Sequence, residues 1–211
     1  MGYHMGLTTE QLTHAMDALA AREPAFAVAL ERVGYPPPRI SARGFGTLLR
    51  TIIGQQVSVT SAQSTYKKLE GIVGSLDDPA NIIAATDEQL RAAGLSRQKA
   101  SYARSLSELV TSGDLDLENL PADDEEAIAK LVAVKGIGRW SAEIYLLFAE
   151  GRTDIWPAGD LAVQIEIGRL LGHEARPSEK LVRELAEAWR PHRGAAAIFA
   201  WYHYQSDMKV V

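Results

Sequence analysis

The side chains and turns best suited to chemistry lie in residues 131–160, LVAVKGIGRWSAEIYLLFAEGRTDIWPAGD. A Gly136-Ile137-Gly138 turn leads into an amphipathic helical pattern. A helix that opens at such a turn exposes unpaired backbone N–H groups and the positive end of its dipole, which bind phosphate without a basic side chain. Asp160 follows Gly138 by 22 residues, enough for one helix and a returning loop. The same unit can therefore hold a nucleic-acid backbone and present a carboxylate beside it.

Three blocks of sequence resemble, in the same order, the signature of the helix-hairpin-helix DNA glycosylases. The similarity is greatest to the DNA-3-methyladenine glycosylase II family, which excises alkylated bases. The blocks are FGTLLRTIIGQQVS at 45–58, LVAVKGIGRWSA at 131–142 followed by WPAGD at 156–160, and WRPHR at 189–193 running into AWY at 200–202. The resemblance implies a monomeric base excision repair enzyme that flips alkylated purines, such as 3-methyladenine and 7-methylguanine, out of double-stranded DNA.

Asp160 is the candidate catalytic residue. Cleavage of an N-glycosidic bond builds positive charge on the sugar, and a fixed carboxylate stabilises that charge and orients or deprotonates the attacking water. The alternative is that Asp160 only caps a helix, which is a common use of aspartate. Its position after the hairpin and the Trp-Pro-Ala-Gly loop favours the catalytic interpretation.

Trp140 stands where the relatives that also cut the DNA backbone carry a lysine that forms a Schiff base with the sugar. Tryptophan cannot form one, so the resemblance implies a monofunctional glycosylase that leaves an abasic site. The indole face also attracts cationic rings such as alkylated purines. The alternative is a core tryptophan that bridges the two helices of the hairpin.

The remaining substrate-binding candidates are Trp201, Gln55 and Gln56. Trp201 corresponds to the C-terminal wall of the family's base pocket, with core packing as the alternative. Gln55 and Gln56 end a helix that faces the cleft in relatives, where they would probe the gap left by a flipped base; the alternative is a solvated turn. Trp156 and Trp189 are expected to pack in the core.

Two segments are expected to contact DNA. The hairpin contributes Gly136, Ile137, Gly138, Arg139 and Ser141. The loop Gly94-Leu95-Ser96-Arg97 corresponds to the segment that inserts a wedge into the base stack and offsets the cost of base flipping. The wedge itself is left open between Leu95, Ser96 and Arg97, since this loop departs from the simple apolar pattern.

No cofactor is expected to be required. The resemblance implies a monovalent cation, Na⁺ or K⁺, on the hairpin carbonyls of Val132, Val134 and Ile137. The absence of cysteine excludes an iron–sulfur cluster of the kind some relatives carry. The five histidines show no metal-ligand spacing, so a catalytic metal is not expected.

The net charge of −5 over 211 residues argues mildly against a nucleic-acid partner. The acidic residues are unevenly distributed, however, because 114–126 contains seven of them and no basic residue. Basic residues lie in segments that the resemblance places around DNA, although each is also readable as part of a solvated helix face; they are Lys67, Lys68, Arg91, Arg97, Lys99, Arg104, Lys130, Lys135 and Arg139. A DNA-binding face needs only local positive potential.

The hydrophobic periodicity is helical almost throughout and predicts an all-α fold of about ten helices. The resemblance implies two helical subdomains that flank a DNA-binding cleft, without the N-terminal β domain of some relatives. We expect one glycosylase unit over 7–211 with its hairpin at about 128–150, and we interpret 1–6 as a cloning remnant. No apolar run approaches 18 residues and no leader is evident, so we expect no membrane association and a cytoplasmic, or in a eukaryote nuclear, protein.

Two rival functions remain at this stage. The first is a glycosylase for a deaminated or oxidised base, which only a panel of lesions separates from an alkylpurine enzyme. The second is a helix-hairpin-helix protein that binds DNA without catalysis. Asp160 and the two pocket tryptophans argue against the second rival, because a pure DNA-binding module needs none of them.

Overall fold

The computed structural model describes residues 6–208, with side chains through Ser206. Except for Gly6, the segment interpreted as a cloning remnant lies outside the described residues. The all-α prediction is confirmed, but the described chain forms twelve α-helices and one 3-10 helix instead of about ten helices. The α-helices are α1 (Thr9–Ala20), α2 (Pro24–Val33), α3 (Phe45–Gly54), α4 (Val59–Val73), α5 (Pro79–Ala84), α6 (Asp87–Ala92), α7 (Arg97–Ser112), α8 (Asp124–Val132), α9 (Arg139–Phe148), α10 (Leu161–Leu170), α11 (Glu179–Ala186) and α12 (Arg193–Met208).

Side-chain caps define the start of most of these helices. Thr86 and Gln89 form the capping box that the sequence predicts for α6. Ser96, Asp123 and Ser178 each accept a hydrogen bond from a backbone N–H in the first turn of α7, α8 and α11. The 3-10 helix, Glu187–Trp189, follows α11 directly.

The described chain divides into two compact units, and the division falls within α9, after Tyr145. The first unit contains residues 42–145. Its centre is α7, which packs against α3 and α5, while α3 also packs against α4. The apolar faces that meet there are fully buried, and their residues include Leu48, Leu49, Ile52, Leu69 and Leu106.

The second unit contains the described residues up to Ser41 together with those from Leu146 onward. Within it, α10 packs against α12 and α1 packs against α2. Trp156 and Trp189 are 3% and 2% exposed, which confirms that they belong to the core. Trp189 packs edge-on against both Trp156 and Phe26, with ring centroids 5.4 and 5.1 Å apart.

A network of polar side chains with a buried centre also joins helices of the second unit. Glu166 on α10 is fully buried and its carboxylate hydrogen-bonds the ring of His203 on α12. The other ring nitrogen of His203 meets Arg32 on α2, and Arg169 donates to the second oxygen of Glu166 at 3.0 Å. This network fixes α10 against α12. Over residues 6–208, no helix has both the length and the apolar character needed to cross a membrane.

Candidate functional site

The hairpin is formed by α8, the turn 133–138 and α9 in the first unit. Gly136 has φ +82°, and a Cβ there would lie 2.1 Å from the ring of Tyr102. Gly138 is different, since a Cβ there would meet nothing within 4 Å. The first intrahelical bond of α9 runs from Ala142 N–H to the Gly138 carbonyl at 3.0 Å. The start of α9 carries the positive end of its helix dipole and lies beside an open glycine.

Arg139, expected to contact DNA, is already held by two carboxylates. Its guanidinium donates to Glu125 on α8 at 2.8 Å and to the buried Glu143 on α9 at 2.9 Å. The hydrogen bonds to Glu125 are the largest cause that raises the pKa of Arg139 far above its usual value. Arg139 thus clamps the two hairpin helices together, and its charge is balanced within the protein.

Ser141 lies in the first turn of α9 and is 9% exposed. Its contact with DNA, through the hydroxyl or the backbone N–H, stays a prediction. The side chain of Ile137 is also buried, at 3% exposure, which anchors the turn in the core.

Trp140 is 47% exposed, although Ser141, Ala142 and Glu143, which follow it on α9, are buried. The alternative that it is a core residue bridging the hairpin helices is therefore wrong. An indole with this exposure is compatible with the predicted stacking on a base from outside the protein.

Gln55 and Gln56 end α3 and have different environments. Gln55 Nε2 donates to the Gly136 carbonyl at 2.7 Å, so this side chain supports the hairpin turn. Gln56 is exposed and has φ +56°, a left-handed conformation that costs a non-glycine residue about 1–2 kcal/mol. Lys99 Nζ holds the same helix end through the Ile53 carbonyl at 2.7 Å, and burial lowers the pKa of Lys99. Of the two glutamines, Gln56 is the exposed one, and its contact with a DNA base stays a prediction.

The residues of the predicted wedge loop also have different environments. Leu95 is 4% exposed and lies in the core of the first unit, so its side chain is not presented at the surface of the loop. The Ser96 hydroxyl accepts the Lys99 N–H at 3.2 Å as the cap of α7. Arg97 is exposed and remains as the wedge candidate of this loop.

Asp160 lies in the second unit, half-buried at the N-terminus of α10. Its Oδ1 accepts hydrogen bonds from the Val163 N–H at 3.0 Å and from the indole N–H of Trp201 at 3.1 Å. Asp160 thus caps α10, as the alternative interpretation expected. A simple cap does not need the second donor, which joins the candidate carboxylate to the candidate pocket tryptophan.

The loop before Asp160 is internally bonded. Trp156 Nε1 donates to the Val182 carbonyl at 3.2 Å, and Gln164 Nε2 donates to the Ala158 carbonyl at 2.7 Å. The Asp160 N–H closes a turn onto the Pro157 carbonyl at 2.9 Å. These bonds fix the carboxylate on rigid backbone.

Trp201 is half-buried and lines a cavity of about 170 Å³ in the second unit. Its ring lies 5.6 Å from that of Phe148, and the guanidinium of Arg39 lies 4.8 Å from the Phe148 centroid. Pro36, Pro37 and Pro38 complete the wall. The sequence shows this proline run only as a stiff connector, because its contact with residues more than 100 positions away has no local signal.

The described residues contain no group of three or more acidic or histidine side chains arranged to hold a metal ion. The hairpin carbonyls are a different kind of site. The end of α8 leaves carbonyls without intrahelical partners at the negative end of its dipole, which suits a cation. The Val134 carbonyl also accepts the Ile137 N–H at 3.0 Å, which leaves it one lone pair.

Several known proteins resemble this chain in sequence or in structure. A solved DNA-3-methyladenine glycosidase from Bacillus halodurans superposes with a TM-score of 0.86 at 30% identity, over 92% of this chain and 91% of that one. A 3-methyladenine DNA glycosylase from Schizosaccharomyces pombe, solved in complex with abasic DNA, superposes with a TM-score of 0.76 at 28% identity. The match covers 92% of this chain and 97% of that one. DNA-3-methyladenine glycosylase 1 of S. pombe is 31% identical over 73% of this chain and 69% of its own length.

The chain spans 58% of the length of another relative, from Bacillus subtilis, to which it is 26% identical. The family model of the HhH-GPD superfamily matches residues 49–191, well over half of the chain. That span includes the end of α3, the whole hairpin and Asp160 at the start of α10. The chain therefore belongs to the HhH-GPD superfamily of base excision DNA repair proteins.

Proposed function

We propose that this protein is a monofunctional DNA glycosylase that hydrolyses the N-glycosidic bond of alkylated purines in double-stranded DNA. The observation that carries the proposal is the carboxylate of Asp160, fixed by the Val163 N–H and by the indole N–H of Trp201. Two donors on one oxygen hold the group at a set position, as stabilisation of a developing positive charge requires. Relatives named for excision of 3-methyladenine support the substrate class.

In the proposed reaction, the bond between the sugar and the purine nitrogen breaks and its electron pair leaves with the base. Asp160 stabilises the oxocarbenium-like sugar and orients the water that adds to it. Purines methylated at N3 or N7 carry positive charge and leave readily, so modest assistance suffices. The exposed Trp140 of the first unit is the proposed stacking surface for such a cationic ring. Within the second unit, Trp201 is an aromatic side chain beside the carboxylate.

The hairpin supplies the proposed contact with the DNA backbone. The N–H groups at the start of α9 and the open space at Gly138 allow a phosphate to approach the backbone closely. The carbonyls of Val132, Val134 and Ile137 would hold the monovalent cation, which would add positive charge beside that phosphate. Gln56 and Arg97 are the proposed contacts with the bases around the flipped nucleotide.

Trp140 also carries the proposal that the enzyme lacks lyase activity, because no amine stands at the Schiff-base position. Borohydride should therefore not trap a covalent complex, and product DNA should stay intact until alkali is added. Efficient trapping would identify another amine, such as Lys135, as the nucleophile and would overturn the monofunctional assignment.

The function is tested by incubating the protein with methylated duplex DNA and identifying the released bases by chromatography. We expect 3-methyladenine and 7-methylguanine among the products. Release of bases only from deaminated or oxidised duplexes would support the rival glycosylase. DNA binding without release of any base would identify a binding module and contradict the proposal.

A further inference from the structure

A polar groove of about 410 Å³ lies in the first unit. None of the residues that line it has a catalytic role in the proposed reaction. Its walls come from α6, from one face of α7 and from Lys135 in the hairpin turn. We name it the α7 groove and define it by Arg91, Arg97, Ser101, Arg104, Glu108 and Lys135.

One cation of the α7 groove is fixed in place. The guanidinium of Arg104 donates to Asp87 Oδ1 at 2.8 Å and to the Ala85 carbonyl at 2.8 Å, so it bridges α7 to the segment between α5 and α6. It is partly buried, which limits how far solvent screens it. Arg104 is thus held in place, and the carboxylate of Asp87 balances part of its charge.

The other three cations are available to an outside partner. Arg91, Arg97 and Lys135 are exposed, and none forms an ion pair with any residue in the part of the chain that the structure describes. Four cations line the groove against the two carboxylates of Asp87 and Glu108. The groove is therefore a local excess of positive charge on a chain whose net charge is −5.

The groove continues directly from the hairpin turn. The Lys135 N–H donates to the buried Ser105 Oγ at 3.2 Å, and the ring of Tyr102 lies against Gly136. Both contacts hold the turn against α7. A strand bound at the start of α9 is thus adjacent to the cations of this groove, within one compact unit.

Two of the cations, Arg97 and Arg104, also lie on one face of α7 with Ser101 between them. Arg97, Ser101 and Arg104 are spaced by four and three residues, so they lie in a row over two turns of α7. Such a row is about 10 Å long at 1.5 Å per residue, whereas a DNA strand carries a phosphate every ~3.4 Å along the axis. The length fits a polyanion with several charges better than one small anion.

We infer that the α7 groove is a second binding track for DNA backbone phosphates, adjoining the hairpin. The inference rests on the proposed function for its partner and extends it by assigning Arg91, Arg104 and Lys135 to DNA binding. These residues act on any duplex, damaged or not, because phosphate contacts carry no sequence information.

The test uses Arg91→Gln, Lys135→Gln and the double variant, with binding to an undamaged fluorescent duplex measured by anisotropy over a series of salt concentrations. Each lost phosphate contact should make the plot of log affinity against log salt shallower by about 0.9. The double variant should therefore lose about 1.8 from the slope. Lys180→Gln is the control, because it removes the same charge from an exposed site on α11.

A double variant that is as well folded by circular dichroism as the wild type, yet keeps the wild-type slope or changes no more than Lys180→Gln, would overturn the inference. Release of methylated bases by the wild-type protein tests the proposed function separately. If bases are released and the slopes do not change, the groove assignment fails alone. If the slopes change and no base is released, the groove stands and the glycosylase assignment fails.

Discussion

At the residue scale, the hydrogen bond between Trp201 and Asp160 is the contact that most separates a catalytic aspartate from an ordinary helix cap. Trp201→Phe keeps an aromatic ring but removes the donor. A hydrogen bond to a charged group contributes about 1.5–3 kcal/mol, so excision should fall roughly 10-fold or more. Single-turnover excision of methylated duplex measures the change.

The matched control for that variant is Tyr202→Phe. It also removes one donor from α12, namely the hydroxyl that bonds the Val33 carbonyl at 2.9 Å. It should cost some stability but leave excision nearly unchanged. Equal losses of excision in the two variants would show that Trp201 acts only through packing.

The exposed Trp140 gives the second prediction at this scale. Trp140→Ala should weaken excision of cationic purines more than overall DNA binding, because it removes stacking and cation–π attraction worth about 1–3 kcal/mol. Trp140→Phe should recover part of the loss. Excision kinetics and duplex binding, measured on the same preparations, check this, and unchanged excision by a folded Trp140→Ala would remove the residue from the site.

Several of these roles were predictable from sequence and others were not. The importance of Asp160 and Trp140 follows from their position after the hairpin turn, a pattern contained in about 30 residues. The clamp of Arg139 by Glu125 and the support of the turn by Gln55 join positions 14 and 81 residues apart. Only the structure shows that the side chains of Arg139 and Gln55 form hydrogen bonds within the protein and that Leu95 is buried.

At the element scale, the two glycines of the hairpin should respond differently to the same substitution. Gly136→Ala places a Cβ 2.1 Å from the Tyr102 ring in a left-handed backbone, so it should strongly lower the melting temperature. Gly138→Ala meets no atom within 4 Å and should fold normally. Its methyl group would occupy the proposed phosphate approach, so DNA affinity should fall about 10-fold, or 1.4 kcal/mol.

Thermal melting and DNA binding of both variants decide this point. A stable Gly136→Ala would contradict the described turn. A Gly138→Ala that binds DNA as well as the wild type would instead show that the backbone of α9 does not approach a phosphate closely.

Helix starts were the most predictable elements, because a cap is a local interaction over three residues. Thr86, Ser96, Asp123, Asp160 and Ser178 are residue types that favour the N-cap, and all five cap a helix. The count of about ten helices was too low. Short helices such as α5, with six residues, carry too few positions for a periodic signal and are stabilised by packing, here against α7.

At the scale of the whole molecule, a net charge of −5 opposes the binding of DNA, which is itself negatively charged. The structure limits the positive contribution further, because Arg139 is balanced by Glu125 and Glu143. We expect a moderate salt dependence of DNA binding, with about 0.9 in log affinity lost per neutralised phosphate for each decade of salt. A slope near zero would contradict the DNA assignment, and one steeper than about −8 would require a basic surface that this chain lacks.

The central claim is that the charge of Asp160, and not only its capping oxygen, drives excision. Asp160→Asn keeps the size and the cap, since asparagine caps about as well as aspartate, but removes the negative charge. Single-turnover excision on methylated duplex DNA, alongside a melting curve, is the most direct test. We predict a folded variant that still binds DNA and excises roughly 10²-fold more slowly, about 2.7 kcal/mol, with the smallest loss for 7-methylguanine. Wild-type excision by a folded Asp160→Asn protein would contradict the account.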